Sequence, residues 1–327
     1  MKLLRERGVL IAIAMWIVCS AAVFPLSGGT LPFNRPALTK ASVAIQVLNP
    51  LITLAALLLL MLLIYGLTKR RTIPDMAARA PSLAIARTET IALWIYGGAV
   101  MIFGRVLGQK LFGEGIGLHL NGSLFGATRV QSPGEVWTWA IFNFLLFALV
   151  PYFVFRARGY SREALNLKST NVRNDALVII VVLTILCALD LLGPNLSRLP
   201  AHEIPAGAAI SFVVHLLGTG LPVMIFIYAI LMPRYMRLAG SATTSVLLGG
   251  ASYATLHLFE YWTVYDSVPH GILSVIFVFL TFVPPGLVKS FLTLRTGNAW
   301  VHLWGFHVIS PHVTADTGLI IRDFGIR

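Results

Sequence analysis

A histidine and a glutamate three residues apart, His257 and Glu260, are the pair in this sequence best suited to do chemistry. Residues three or four apart share a face of a helix, and Tyr253 lies one turn before His257 on that face. Such a pair can present two ligands to a metal ion, or orient a histidine as a general base. The spacing alone still favours a structural role, in which the histidine bonds to a neighbouring helix and the glutamate reaches the outer interface.

Three further histidines, His302, His307 and His312, follow one another at intervals of five residues near the end of the chain. Five residues turn an α-helix by about 140°, so these side chains are not expected to line one face. A stripe of metal ligands on this segment is therefore not predicted. We expect His307, the deepest of the three, to approach His257 from a neighbouring helix.

Other ionisable residues lie inside apolar segments, where their cost makes them candidates for function. Arg105 and Asp190 are expected to neutralise each other or to extend towards the outer interface. In a transporter they would act with His215 as gating charges. Transporters of this kind usually carry an internal repeat, and none is found in the sequence, so a transporter ranks last among the functions considered.

The composition places these residues in a lipid bilayer. Of the 327 residues, 57% are hydrophobic and only 12% are charged, about half the charged fraction of a soluble domain. The apolar residues form blocks of about twenty, the length that crosses a hydrocarbon core of about 30 Å. We predict an all-α integral membrane protein with about nine transmembrane helices (roughly eight to ten), at 8–26, 47–67, 90–111, 136–155, 176–194, 208–232, 242–262, 271–293 and 298–313.

The basic residues lie mostly in short loops, where they set topology and hold anionic headgroups. With a cytoplasmic N-terminus, sixteen Lys and Arg residues fall on the cytoplasmic side and seven on the other. This asymmetry predicts a multi-pass protein of the inner or plasma membrane with its N-terminus inside. The net charge of +12 is thereby explained by the lipid bilayer as partner, and no nucleic-acid partner is expected.

One shift in composition divides the chain. A basic, polar stretch separates four N-terminal helices, 1–157, from a C-terminal core, 176–327, with residues 158–175 as a cytoplasmic connector. The core is rich in glycine, and Gly218, Gly220, Gly249 and Gly250 are suited to close helix contacts. The Pro284–Pro285 pair is expected to kink or break its helix.

The stretch from about 208 to 312 resembles the CPBP family of CAAX prenyl proteases and bacteriocin-processing or bacteriocin-immunity membrane proteins. The pieces that match, in order, are Gly159-Tyr160-Ser161-Arg162 with Leu165-Asn166-Leu167 as a lead-in, Leu221-Pro222, Pro233-Arg234-Tyr235-Met236-Arg237, Tyr253 to His257, Arg295-Thr296-Gly297-Asn298-Ala299-Trp300, and Gly305-Phe306-His307. The resemblance covers about half of the chain. It implies a helical membrane core that hydrolyses membrane-embedded or prenylated peptides.

The family's paired glutamates, which activate water directly or through a metal, are missing here. Val223 and Met224 stand in their places, Tyr228 replaces the motif's arginine, His307 comes one residue late after Trp300, and Pro311 replaces an asparagine. Valine and methionine cannot serve as a general base or bind a hard metal.

Two hypotheses follow from the resemblance. In the first, Glu260 has replaced the lost base, and His257, His307 and Glu260 form a reduced peptidase site that holds a divalent metal such as zinc or works without one. These three residues should then lie close to a common point in a water-accessible cavity. In the second, the chain is catalytically inactive and serves as a membrane scaffold that binds a peptide or protein partner, with the same side chains apart or enclosed by aromatic rings.

Overall fold

The computed structural model describes residues 6–33, 35, 38, 41–113, 117–121, 130, 132–191 and 198–327, and these form nine helices and no strand. The helices are α1 (Arg7–Ser27), α2 (Val43–Thr68), α3 (Leu83–Phe112), α4 (Pro133–Ala157), α5 (Val172–Leu191), α6 (Ile204–Ala239), α7 (Ala242–Thr255), α8 (Val268–Thr296) and α9 (residues 299–324). The prediction of an all-α membrane protein is confirmed.

Seven helices, α1 to α6 and α8, are long and apolar enough to cross a bilayer. Helix α7 has only 14 residues, which at a rise of 1.5 Å per residue is about 21 Å, short of a hydrocarbon core. The predicted span 242–262 is therefore too long. The chain leaves the helix at Thr255, so His257 and Glu260 lie in the turns that follow it rather than on a helix.

Loops from distant parts of the chain meet on two faces of the bundle. On the first, the arginine-rich face, Arg79 donates to Asn166 Oδ1 at 2.7 Å and to the Gly297 carbonyl at 2.6 Å. Arg71 pairs with Asp175 on the same face. On the other face, the ring centroids of Phe33 and Trp262 are 5.1 Å apart.

Close approach of helices depends on glycine at several contacts in the core. A Cβ on Gly218 of α6 would lie 2.2 Å from Cζ3 of Trp139 on α4, and one on Gly286 of α8 would lie 2.8 Å from the Cα of Gly250 on α7. Any side chain at these positions would separate the helices. The prediction that Gly218 and Gly250 serve close packing is confirmed. Helix α8 runs unbroken through Pro284 and Pro285.

Helix α6 continues beyond the predicted end of its span at residue 232. Arg234 lies inside this helix, fully buried, and its Nε donates to Oε2 of Glu89 on α3 at 2.8 Å. Arg234 therefore lies within a helix rather than in a loop, and a buried carboxylate from the N-terminal region neutralises it. The two regions also meet where Phe226 of α6 contacts Trp94 of α3 and Phe147 of α4, at ring centroid distances of 5.9 and 5.5 Å.

Three of the helices contain π-helical turns. These occupy Phe144–Leu149 in α4, Leu216–Gly220 and Met224–Leu231 in α6, and Leu303–His307 and Ile309–Thr314 in α9. In a π-helix the backbone bonds from residue i to i+5, so residues five apart lie one above the other. The segments in α6 and α9 carry or flank the histidines that were singled out in the sequence.

Candidate functional site

Five buried histidines from α6, the turn after α7, and α9 form a continuous row inside the C-terminal half. We call this the histidine row, and an acidic residue lies at each of its ends. Every member is at most 3% exposed. The members are Glu260, His257, His307, His302, His312, His215 and Asp316. Polar groups are rarely buried in such number without hydrogen bonds or ligands. The row is therefore the first candidate for a functional site.

At one end, Nδ1 of His257 lies 2.8 Å from Oε1 of Glu260. A carboxylate accepts, so Nδ1 donates, and the lone pair of the imidazole is left on Nε2. No described residue hydrogen-bonds to Nε2. The ring of His257 stacks on Phe282 at 4.0 Å between centroids, and Tyr253 meets it edge-on at 4.4 Å.

The middle of the row is built by α9. The ring of His307 lies 6.0 Å from that of His302 and 5.4 Å from that of His312. The expectation that these three histidines do not line one face is wrong, because π-helical winding brings residues five apart into line. Both ring nitrogens of His307 are without a hydrogen-bond partner among the described residues.

Tyr253 connects the two predicted imidazoles. Its ring lies 4.4 Å from the ring of His257 and 5.8 Å from that of His307, so both histidines are on the same side of the bundle. The ammonium of Lys289, inside α8, lies 3.5 Å from the centroid of the same tyrosine ring. Tyr253 thus contacts both His257 and His307, and Glu260 is bonded to His257; all three side chains are buried.

The two positions at which the resemblance would call for paired glutamates lie in the core. Val223 and Met224 are fully buried in α6. Tyr228, where the family's arginine is expected, lies 4.2 Å from the ring of His302. The described geometry therefore offers no second acid next to His257, which leaves Glu260 as its carboxylate partner.

The other end of the row is a compact group of His215, His312 and Asp316. One ligand atom from each lies within 4.8 Å of the other two, and all three side chains are buried. Among the described residues, this is the group of histidines and acids whose ligand atoms lie this close together. The ligand atoms of His257, Glu260 and His307 do not meet the same distance limit. The Nε2 atom of His215 lies 2.8 Å from Oδ2 of Asp316.

Tyr261 is near both acidic residues at the ends of the row. Tyr261 follows Glu260 in the turn between α7 and α8, and burial raises its pKa. The negative charges of Glu260 and Asp316 raise the pKa of Tyr261 further, which shows that both acids lie within electrostatic range of one phenol.

Arg105 and Asp190 contact different partners. The guanidinium of Arg105 lies 4.8 Å from the ring centroid of Phe259 and 5.8 Å from that of Tyr265. Asp190 accepts hydrogen bonds from the hydroxyls of Ser310 and Thr314. Aromatic faces and hydroxyls stabilise these charges, so mutual neutralisation, one of the two expected alternatives, is not what the described contacts show.

Sequence reasoning gave no role to Asp316 or Lys289. Asp316 lies beyond the predicted last span, which ends at residue 313, yet its spacing of four from His312 is a signal of the same kind as the spacing of His257 and Glu260. Lys289 was visible as a lone cation inside a span. Comparisons of the chain with family models, with curated proteins and with solved structures find no significant match to any of them.

Proposed function

We propose that this protein is an intramembrane hydrolase of the peptidase class, with His257 as its general base and Glu260 as the residue that orients it. The observation that carries the proposal is the bond of 2.8 Å from Nδ1 of His257 to Glu260, which leaves Nε2 unpartnered in a buried site. A histidine held in this way is in the correct tautomer to accept a proton.

The reaction is peptide hydrolysis by water. Water attacks the carbonyl carbon, Nε2 of His257 takes the proton from water, and the proton passes to the leaving amine as the C–N bond breaks. Glu260 stabilises the imidazolium that forms in between. This assignment changes the expected role of Glu260, because the carboxylate contacts the imidazole and is therefore a positioning residue rather than the base.

The substrate class is a peptide that enters from the membrane. The row lies among helices that cross the bilayer, and His257 is on the irregular segment 256–267, which is not fixed by a continuing helix. Movement of this segment would admit water and a peptide to Nε2, as loop motions do in many enzymes. The resemblance to prenyl proteases favours a peptide with a lipidated C-terminus.

A divalent metal at His257, His307 and Glu260 is the cofactor that the resemblance implies. Oε1 of Glu260 is engaged by His257, and the ring of Tyr253 contacts both histidines, so these donors do not converge on one point. No step of the proposed reaction is therefore assigned to an ion at this end of the row.

The test uses the purified full chain in proteoliposomes and two quenched fluorescent peptides, one farnesylated at a C-terminal cysteine motif and one an unmodified transmembrane segment. Cleavage by the wild type is expected, with a loss of about 100-fold or more in His257→Gln. His270→Gln is the matched control, because His270 is paired with Asp266 at 2.6 Å but is exposed. Equal rates in the two variants would refute the role of His257.

A membrane scaffold without catalysis is the second candidate. It is favoured by the stacking of His257 on Phe282 and by the apolar residues Val223 and Met224, fully buried where the family's acids belong. A scaffold predicts no cleavage of either peptide by the wild type, together with altered chemical cross-linking to its membrane partner in Phe282→Ala.

A further inference from the structure

We propose that His215, His312 and Asp316 bind a single transition-metal ion of the zinc class, independently of the peptidase chemistry proposed for His257. The three side chains come from α6 and α9, are at most 2% exposed, and have ligand atoms within 4.8 Å of one another. Two imidazoles and one carboxylate are the donor set of many zinc sites, which leaves a fourth position for water or for the neighbouring His307.

The hydrogen bond of His215 to Ser211 leaves its other ring nitrogen next to Asp316. Nδ1 of His215 lies 2.7 Å from the carbonyl oxygen of Ser211, which can only accept, so Nδ1 carries the proton. In the neutral imidazole Nε2 then has a lone pair, and it lies 2.8 Å from the carboxylate oxygen of Asp316. Two acceptors at this distance repel each other unless a proton or a metal ion lies between them.

A metal ion would be shared by all three side chains, whereas a proton joins only two of them. Nε2 of His215 lies 2.8 Å from Oδ2 of Asp316. Nδ1 of His312 lies 3.6 Å from the same oxygen. Ligands of tetrahedral zinc, at about 2.0–2.1 Å from the ion, are about 3.3–3.4 Å apart, so these two separations bracket the expected value.

The surrounding residues hold the ligands in place. Ser211 contacts both histidines, since its carbonyl accepts from His215 and its hydroxyl donates to the carbonyl of His312 at 3.3 Å. The rings of His215 and His312 are stacked at 4.7 Å with an angle of 9° between their planes. A carbonyl that fixes the tautomer of a ligating histidine is typical of metal centres.

Glycine allows the two helices to come this close. A Cβ on Gly207, two turns before His215, would lie 2.5 Å from Cγ1 of Ile321, and one on Gly220 would lie 2.5 Å from Cγ2 of Val308. The donor types also determine which metal ions fit the site. Imidazole nitrogens suit zinc and its neighbours in the transition series, whereas magnesium and calcium prefer all-oxygen sites.

The test is metal content and coordination of the full chain purified in detergent, loaded with excess Zn²⁺ and then dialysed. About one zinc per chain is expected in the wild type, and less than about one fifth of that in His312→Gln and in Asp316→Asn. His270→Gln and His257→Gln are controls that should keep the metal. The second of these separates this site from the proposed peptidase base.

Loading with Co²⁺ gives a second measurement that does not depend on the variants. A protein site with nitrogen and oxygen donors gives cobalt an intense visible absorption that Zn²⁺ displaces, and bound metal raises the melting temperature of the wild type. Wild-type protein without bound zinc, or zinc retained in both His312→Gln and Asp316→Asn, would overturn the proposal. Zinc binding without peptide cleavage would contradict the peptidase alone, and cleavage without zinc would contradict the metal site alone.

Discussion

Replacement of Glu89 by glutamine should be among the most destabilising single changes in this protein. The carboxylate of Glu89 accepts from Nε of Arg234 at 2.8 Å, from the hydroxyl of Tyr160 at 2.8 Å, and from Nε of Arg158 at 3.2 Å. The side chains of Arg234 and Glu89 are 1% and 5% exposed, so Glu89→Gln leaves a buried guanidinium without its counter-ion.

The expected magnitude follows from burial. Breaking a buried ion pair by removing one partner costs about 3–5 kcal/mol. Arg234 keeps a bond to the Ile230 carbonyl and lies 4.5 Å from the Phe155 ring, which places the loss at the lower end of that range. Arg158 is 53% exposed, so Arg158→Ala should cost only about 0–1 kcal/mol although it contacts the same carboxylate.

The free energy of unfolding can be measured in mixed micelles by titration with a denaturing detergent and tryptophan fluorescence. A double variant, Glu89→Gln with Arg234→Met, removes both charges and should recover part of the loss of Glu89→Gln. Equal losses in Glu89→Gln and Arg158→Ala would refute the argument from burial. So would a double variant whose loss equals the sum of the two single losses.

Two further predictions concern packing and pH. Gly218→Ala should lower the free energy of unfolding by about 1–3 kcal/mol in the same assay, because its Cβ would lie 2.2 Å from Trp139. Gly98→Ala, which has no neighbouring atom within 4 Å, should not destabilise the protein. Equal losses in the two variants would contradict the proposed contact. Burial and the hydrogen bond to Glu89 raise the pKa of Tyr160, so its contribution to stability is complete below about pH 10 and is lost as the pH rises through the raised pKa. Unfolding measured from pH 8 to 12 should show a smaller alkaline loss in Tyr160→Phe than in the wild type, and identical pH profiles would exclude this contribution.

The sequence predicts the membrane fold well because long apolar blocks must lie in lipid. A helix pairs the backbone hydrogen-bonding groups within the segment, where lipid offers them no partner. Helix ends were harder to place. Glu89 lies within α3, although the predicted span starts at residue 90, and Arg234 lies within α6 beyond the predicted end of its span. Buried partners compensate these charges. Hydropathy alone therefore started the third span after Glu89 and ended the sixth span before Arg234.

The candidate site was predicted in part. The pairing of His257 with Glu260 follows from their spacing, and it survives in a turn because the backbone N–H of Glu260 bonds to the carbonyl of His257 at 3.2 Å. The alignment of His302, His307 and His312 could not be predicted, since it requires π-helical winding that residue periodicity does not reveal. The convergence of His215 with Asp316 depends on two helices far apart in sequence, and one chain contains no signal for such a contact.

The π-helical turn at Leu303–His307 has a consequence for how this protein tolerates changes in length. A wide turn accommodates one additional residue without rotating the rest of the helix. Deletion of a single residue there would restore ordinary winding and keep the later side chains, His312 and Asp316 included, on their present face. The wide turn thus lets the number of residues between Trp300 and His307 change while the ligands beyond it stay in place.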